Sequence, residues 1–124
     1  MIVTHKITAT VAGSDGSASG TGSTEHPVNG VLIGLYVDYV TQPATADVTI
    51  ATAFAPVRTL LTLTDNATDG WYYPRVQVHG VTGTALTLDG TRLMVDLFPI
   101  DDYVTATVAQ GNEGSVTVYL LLEC

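Results

Sequence analysis

The chain has 124 residues, and twelve Asp and Glu against four Lys and Arg give it a formal net charge of -8. Neutralising nucleic-acid phosphates takes Lys and Arg, and only Lys6, Arg58, Arg75 and Arg92 are present, so no nucleic acid and no anionic membrane surface is expected as a partner. Charged residues make up 13% and hydrophobic ones 46%; the charged share is about half the usual one, which fits one all-β domain over 1–124 whose surface a partner partly covers.

The elements follow in chain order from period-2 alternation. Val3, His5, Ile7, Ala9 and Val11 alternate with Thr4, Lys6, Thr8 and Thr10, which predicts a half-buried first strand. Gly13 to Thr24 is Gly/Ser/Thr-rich without an apolar anchor. It reads either as a mobile surface loop or as an arm that lets the first strand reach a neighbouring subunit. Residues 1–27 are thus expected to be an N-terminal strand plus arm. Val31, Ile33, Leu35, Val37 and Tyr39 form the next odd set, with Leu32, Gly34, Tyr36 and Asp38 opposite; both faces are fairly apolar, which predicts a central strand or one covered on both sides. Val48, Ile50, Thr52 and Phe54 continue the pattern, followed by a short run over Arg58 to Thr64 and another over Tyr73 to Gly80. Leu86 and Leu88 lead into Asp89-Gly90, and Leu93, Val95 and Leu97 follow, which predicts a hairpin. Val104, Ala106 and Val108, then a turn at 110–114, then Val116, Val118, Leu120 and Leu122 predict a final hairpin with positive φ values in its turn. About eight strands without a helical period imply an antiparallel β-sandwich or a barrel.

The candidate sites are few. Asp65-Asn66-Ala67-Thr68-Asp69-Gly70 begins like a calcium loop, but Ala67 and Val76 fall where the third and twelfth ligands belong, so a self-satisfied polar turn is the better reading. Trp71-Tyr72-Tyr73 is the one aromatic cluster, suited to core, subunit interface or a sugar platform. His5, His26 and His79 lack metal spacing. His5 lies on the apolar phase of its strand, and His79 shares a polar stripe with Arg75 and Gln77. Asp101-Asp102 would point to opposite faces of a strand. No nucleophile elbow, phosphate loop or dinucleotide fingerprint occurs, so no enzyme and no cofactor is expected. Cys124 is the single cysteine and permits no intrachain disulfide. Neither a secretory signal nor an apolar run of the roughly 20 residues a membrane helix needs is present, which predicts a soluble protein made in a cytoplasm.

Taken together, the Gly/Ser/Thr-rich segment, Pro27 to Tyr39, Ala46 to Thr52, Trp71-Tyr72-Tyr73-Pro74-Arg75 and Val108 to Tyr119 resemble the capsid decoration, or cement, proteins of tailed bacteriophages. The resemblance implies a jelly-roll-like β-sandwich that binds the major capsid protein on the outer surface of the virion as a homotrimer. The expected interface residues are His5, Ile7, Tyr36, Trp71, Tyr72 and Tyr119. The rival expectation is a carbohydrate-binding or adhesin module that uses Trp71 to Tyr73.

Overall fold

The computed structural model of the chain describes residues 1–54, 56–79, 81–87 and 95–124. Eleven strands and no helix occur among them: β1 (Ile2–Val11), β2 (Ala18–Ser23), β3 (Val28–Asp38), β4 (Asp47–Thr52), β5 (Thr59–Leu63), β6 (Gly70–Tyr72), β7 (Val76–Gln77), β8 (Val95–Asp96), β9 (Phe98–Asp102), β10 (Val104–Gly111) and β11 (Gly114–Glu123). The Asp89-Gly90 turn expected between two strands lies outside the described residues.

One sheet has the order β1-β11-β3-β6, with β9 also on β3, and the other has the order β2-β10-β4-β5; a small third pair joins β7 to β8. Every pairing is antiparallel. The links β1–β2, β3–β4 and β10–β11 each carry the chain from one sheet to the other, which makes the sandwich a jelly roll. The final pair is therefore an arch between sheets and not the hairpin its alternation suggests. β10 bonds β2 and β4, whereas β11 bonds β1 and β3. Period 2 identifies a strand and its faces but carries no information about which neighbour it bonds.

The core lies between the two sheets. Ile7, Ala9 and Val11 meet Val104, Ala106 and Val108 and also Val116, Val118, Leu120 and Leu122, all essentially without exposed surface. Each such Val, Leu or Ile contributes about 1.5–3 kcal/mol through burial. In the turn joining β10 to β11 the positive φ values expected of its glycines and asparagine fall on Gly114, at 151°, and on Gln110, at 52°, and not on Asn112. The buried Gln42 amide holds that turn from below. Its Nε2 donates to Asn112 O at 3.0 Å, and its Oε1 accepts from Asn112 N at 2.9 Å.

The Gly/Ser/Thr-rich segment departs most from expectation. Only a short turn over 13–17 separates β1 from Ala18–Ser23, which is a full strand bonded to β10. Its glycines are there for close approach. A Cβ at Gly20 would stand 1.9 Å from Thr10 O, and one at Gly22 would stand 2.2 Å from Thr8 O. The bare Cα atoms of β2 thus rest on the edge carbonyls of β1, in the manner of Cα–H···O contacts between strands. β1 itself pairs with β11 of its own chain along its whole length, and residues 18–23 are a bonded strand and not a mobile loop.

β3 is a central strand, as expected, with β11 on one side and β6 and β9 on the other. Leu35, Val37 and Tyr39 face the core, but so does Leu32, while Val31 and Ile33 are only half-buried. The register slips between Leu121 and Leu122, and this bulge at Ile33-Gly34 reverses the phase. The strand next to β3 is interrupted at the same level. β6 covers Leu35 to Val37 and β9 covers Val28 to Leu32, and among the described residues between them, 73–79, 81–87 and 95–97, none belongs to a strand of this sheet. Arg75 fills the gap by donating from a guanidinium nitrogen to Ile33 O at 3.0 Å and to Pro74 O at 2.8 Å. Arg75 therefore does not form the polar stripe expected with His79, which is exposed and lies 2.6 Å from Gln77 O through its Nδ1.

Candidate functional site

Pairing across four strands assembles a row of side chains that is discontinuous in the sequence. Lys6 on β1 lies opposite Tyr119 on β11, Tyr119 opposite Tyr36 on β3, and Tyr36 opposite Trp71 on β6. All four are on the outer face, because the residues flanking them (Ile7, Val118, Leu35 and Val37) point into the core. The Tyr36 and Trp71 rings are 5.4 Å apart at 66°, and those of Tyr36 and Tyr119 are 6.5 Å apart at 50°. Lys6 Nζ stands 6.0 Å from the centroid of Tyr119, at the outer limit of a cation–π contact. Together with Thr4, the three aromatic rings line an open hollow of about 380 Å³ whose walls are almost wholly apolar. Tyr73, 61% exposed, extends the aromatic surface. Its ring lies over Gly34, where a Cβ would come within 3.0 Å of it.

Of the residues expected at an interface, the fold brings Tyr36, Trp71 and Tyr119 together, and Trp71 is 51% exposed. Tyr72 parts from its neighbours because alternate residues of a strand face opposite ways. Its ring packs against the core, and its hydroxyl donates to Thr68 O at 3.4 Å. Trp71-Tyr72-Tyr73 is therefore not one platform. Ile7 has no exposed surface and contributes to the core, out of reach of a partner. His5 is half-buried in an adjoining cleft of about 540 Å³ between β1 and the end of β2, which shares Thr4 with the hollow and is lined also by Lys6, Ser23, Thr24, Glu25 and His26. Residue-by-residue reading missed Thr4 and Lys6. Their only signal is the strand register, which a sequence does not display.

The remaining polar groups serve the fold. Asn66 Oδ1 accepts from Thr68 N at 2.8 Å, Asp69 Oδ1 from Tyr39 N at 2.8 Å, and Asp47 Oδ1 from Asp65 N at 2.9 Å, so the Asp-rich loop is a polar turn that satisfies its own backbone only at Asn66 and is otherwise tied to Tyr39 and Asp47. Asp101 is exposed and accepts from Asn29 Nδ2, while the buried Asp102 accepts from Phe54 N at 2.9 Å and Tyr103 N at 2.6 Å. The pair does point to opposite faces. Burial, reinforced by Tyr72, Asp69 and Asp47, lifts the Tyr39 phenol far above its ordinary value. Among the described residues no group of three His, Cys, Asp or Glu is placed to hold a metal ion, and no helix is long and apolar enough to cross a membrane. Cys124 is an exposed free thiol at the end of β11, where its N and O bond Met1. Neither a scan of protein-family models nor a search of curated proteins returns a match to this chain.

Proposed function

We propose that this chain is a non-enzymatic structural protein that decorates the outer capsid surface of a tailed bacteriophage as a homotrimer, holding the major capsid protein through the outer face of the β1-β11-β3-β6 sheet. The observation that carries the binding role is the row of Tyr119, Tyr36 and Trp71, displayed on a sheet whose other face already has its core. Contiguous exposed aromatic surface rimmed by polar residues marks a site of macromolecular contact. The capsid context rests on the resemblance of the sequence, and a jelly roll suits it, because a cement protein needs a rigid body and no chemistry. Three copies engaging three equivalent sites would gain avidity from weak single contacts, and closed symmetry would protect exposed strand edges from uncontrolled pairing.

Light scattering on the whole chain at micromolar concentration tests the reading. The expected mass is three times the 13.0 kDa of one chain, and Trp71→Ala should abolish binding to heads built from the major capsid protein. A stable monomer with no affinity for such heads overturns it. The half-exposed Trp71 also motivates a carbohydrate-binding reading. A Trp71-dependent signal on a glycan array would favour that reading over the capsid one.

A further inference from the structure

We propose that the hollow formed by Thr4, Tyr36, Trp71 and Tyr119 receives a cationic side chain, an Arg or Lys carried by the partner polypeptide, and that Lys6 is the resident cation this group displaces. The proposal rests on the reading that this face binds a protein, and it specifies the chemistry of that partner.

Three observations carry it. First, the rings stand at 66° and 50° to their neighbours. They form inclined walls instead of the flat surface a sugar ring stacks on. Walls of π-faces around an open hollow of about 380 Å³ suit a compact cation with an apolar stem, since the ring quadrupole attracts positive charge. Second, the face already holds a cation, with Lys6 Nζ 6.0 Å from the Tyr119 centroid. Arg58 and Arg75 are occupied elsewhere on the carbonyls of Pro99 and Ile33. Third, the chain carries a net charge of -8, so its field draws basic surfaces and repels acidic ones. An apolar side chain would fill the same space, but it would gain nothing from the second and third features.

Trp71 is the only tryptophan of the chain, so intrinsic fluorescence reads the hollow directly. The whole protein is titrated at constant ionic strength with a capped Gly-Arg-Gly peptide, its citrulline counterpart, tetramethylammonium and N-acetylglucosamine. We expect saturable changes with the arginine peptide and with tetramethylammonium, and none with citrulline. Lys6→Ala should tighten the arginine peptide about two- to fivefold by removing the competing cation, and Tyr36→Leu should weaken it by a similar factor. Equal responses to arginine and citrulline, no saturable response, or no tightening in Lys6→Ala would each overturn the proposal. A response to the sugar alone would assign the hollow to carbohydrate. If Trp71→Ala loses head binding while the arginine peptide leaves fluorescence unchanged, the cation inference fails and the binding face stands. If Trp71→Ala trimerises and binds heads normally, the binding face fails whatever the titration gives.

Discussion

Replacing Gly20 or Gly22 by Ala is the sharpest test of the β1–β2 packing. A Cβ at Gly20 would lie 1.9 Å from Thr10 O, against the 3.0 Å below which real Cβ atoms essentially never come. About 1.1 Å of separation must therefore open between two strands. At Gly22 the corresponding distance is 2.2 Å, to Thr8 O, which requires about 0.8 Å. The obstacle in each case is backbone, and both strands are already tied, β1 to β11 and β2 to β10, so no side chain can swing aside. Overpacking of this kind costs about 1–3 kcal/mol, and Gly20→Ala belongs at the upper end. For a domain of this length 1 kcal/mol moves the Tm by roughly 3–5 °C, so a fall of roughly 10 °C is expected. Gly70→Ala is the control, because nothing lies within 4 Å of its Cβ position. It should be neutral, or stabilising by about 0.4–1 kcal/mol through the unfolded state. Thermal unfolding followed by circular dichroism decides the matter. If Gly20→Ala and Gly22→Ala melt like the parent, residues 18–23 do not pack on β1 and the mobile-loop reading of this segment returns.

Three further outcomes follow from buried polar groups. The Tyr39 hydroxyl is buried without a hydrogen-bond partner, so Tyr39→Phe should raise stability to urea by about 1 kcal/mol; a loss of that size would mean the hydroxyl is satisfied. The same burial raises the phenol pKa. Above pH of about 10 the unfolded tyrosine ionises while folded Tyr39 keeps its proton, so parent stability falls as pH rises past that point, and Tyr39→Phe should show a shallower alkaline decline. Asp102→Ala strips the acceptor from Phe54 N and Tyr103 N and should cost about 1–3 kcal/mol in urea unfolding. A neutral result would show that solvent replaces both bonds.

Alternation alone was enough to read the strands of the core. In β10 and β11 every residue assigned inward, from Val104 to Leu122, is buried, because a two-residue period has only two faces to choose between. It failed at Ile33-Gly34, where a bulge inserts a residue and inverts the phase. It failed again at Ala18–Ser23, where the absence of apolar side chains looked like freedom and is in fact a requirement for close backbone contact. Of the binding face, Tyr36, Tyr119 and Trp71 were individually visible. Their union with Lys6 was not, since residues 6, 36, 71 and 119 meet only through three strand pairings.

The amino-acid order by itself determined the all-β character, the positions and inward faces of most strands, and the turn at 110–114 with its positive-φ Gly114, because these depend on residues close in the chain. Tertiary structure alone decided that β10 and β11 belong to different sheets, that Gly20 and Gly22 lie against β1, and that Tyr72 turns from Trp71 toward the core. Each of these depends on which distant strand lies alongside, a choice made by the packing of the whole sandwich and not by any local pattern.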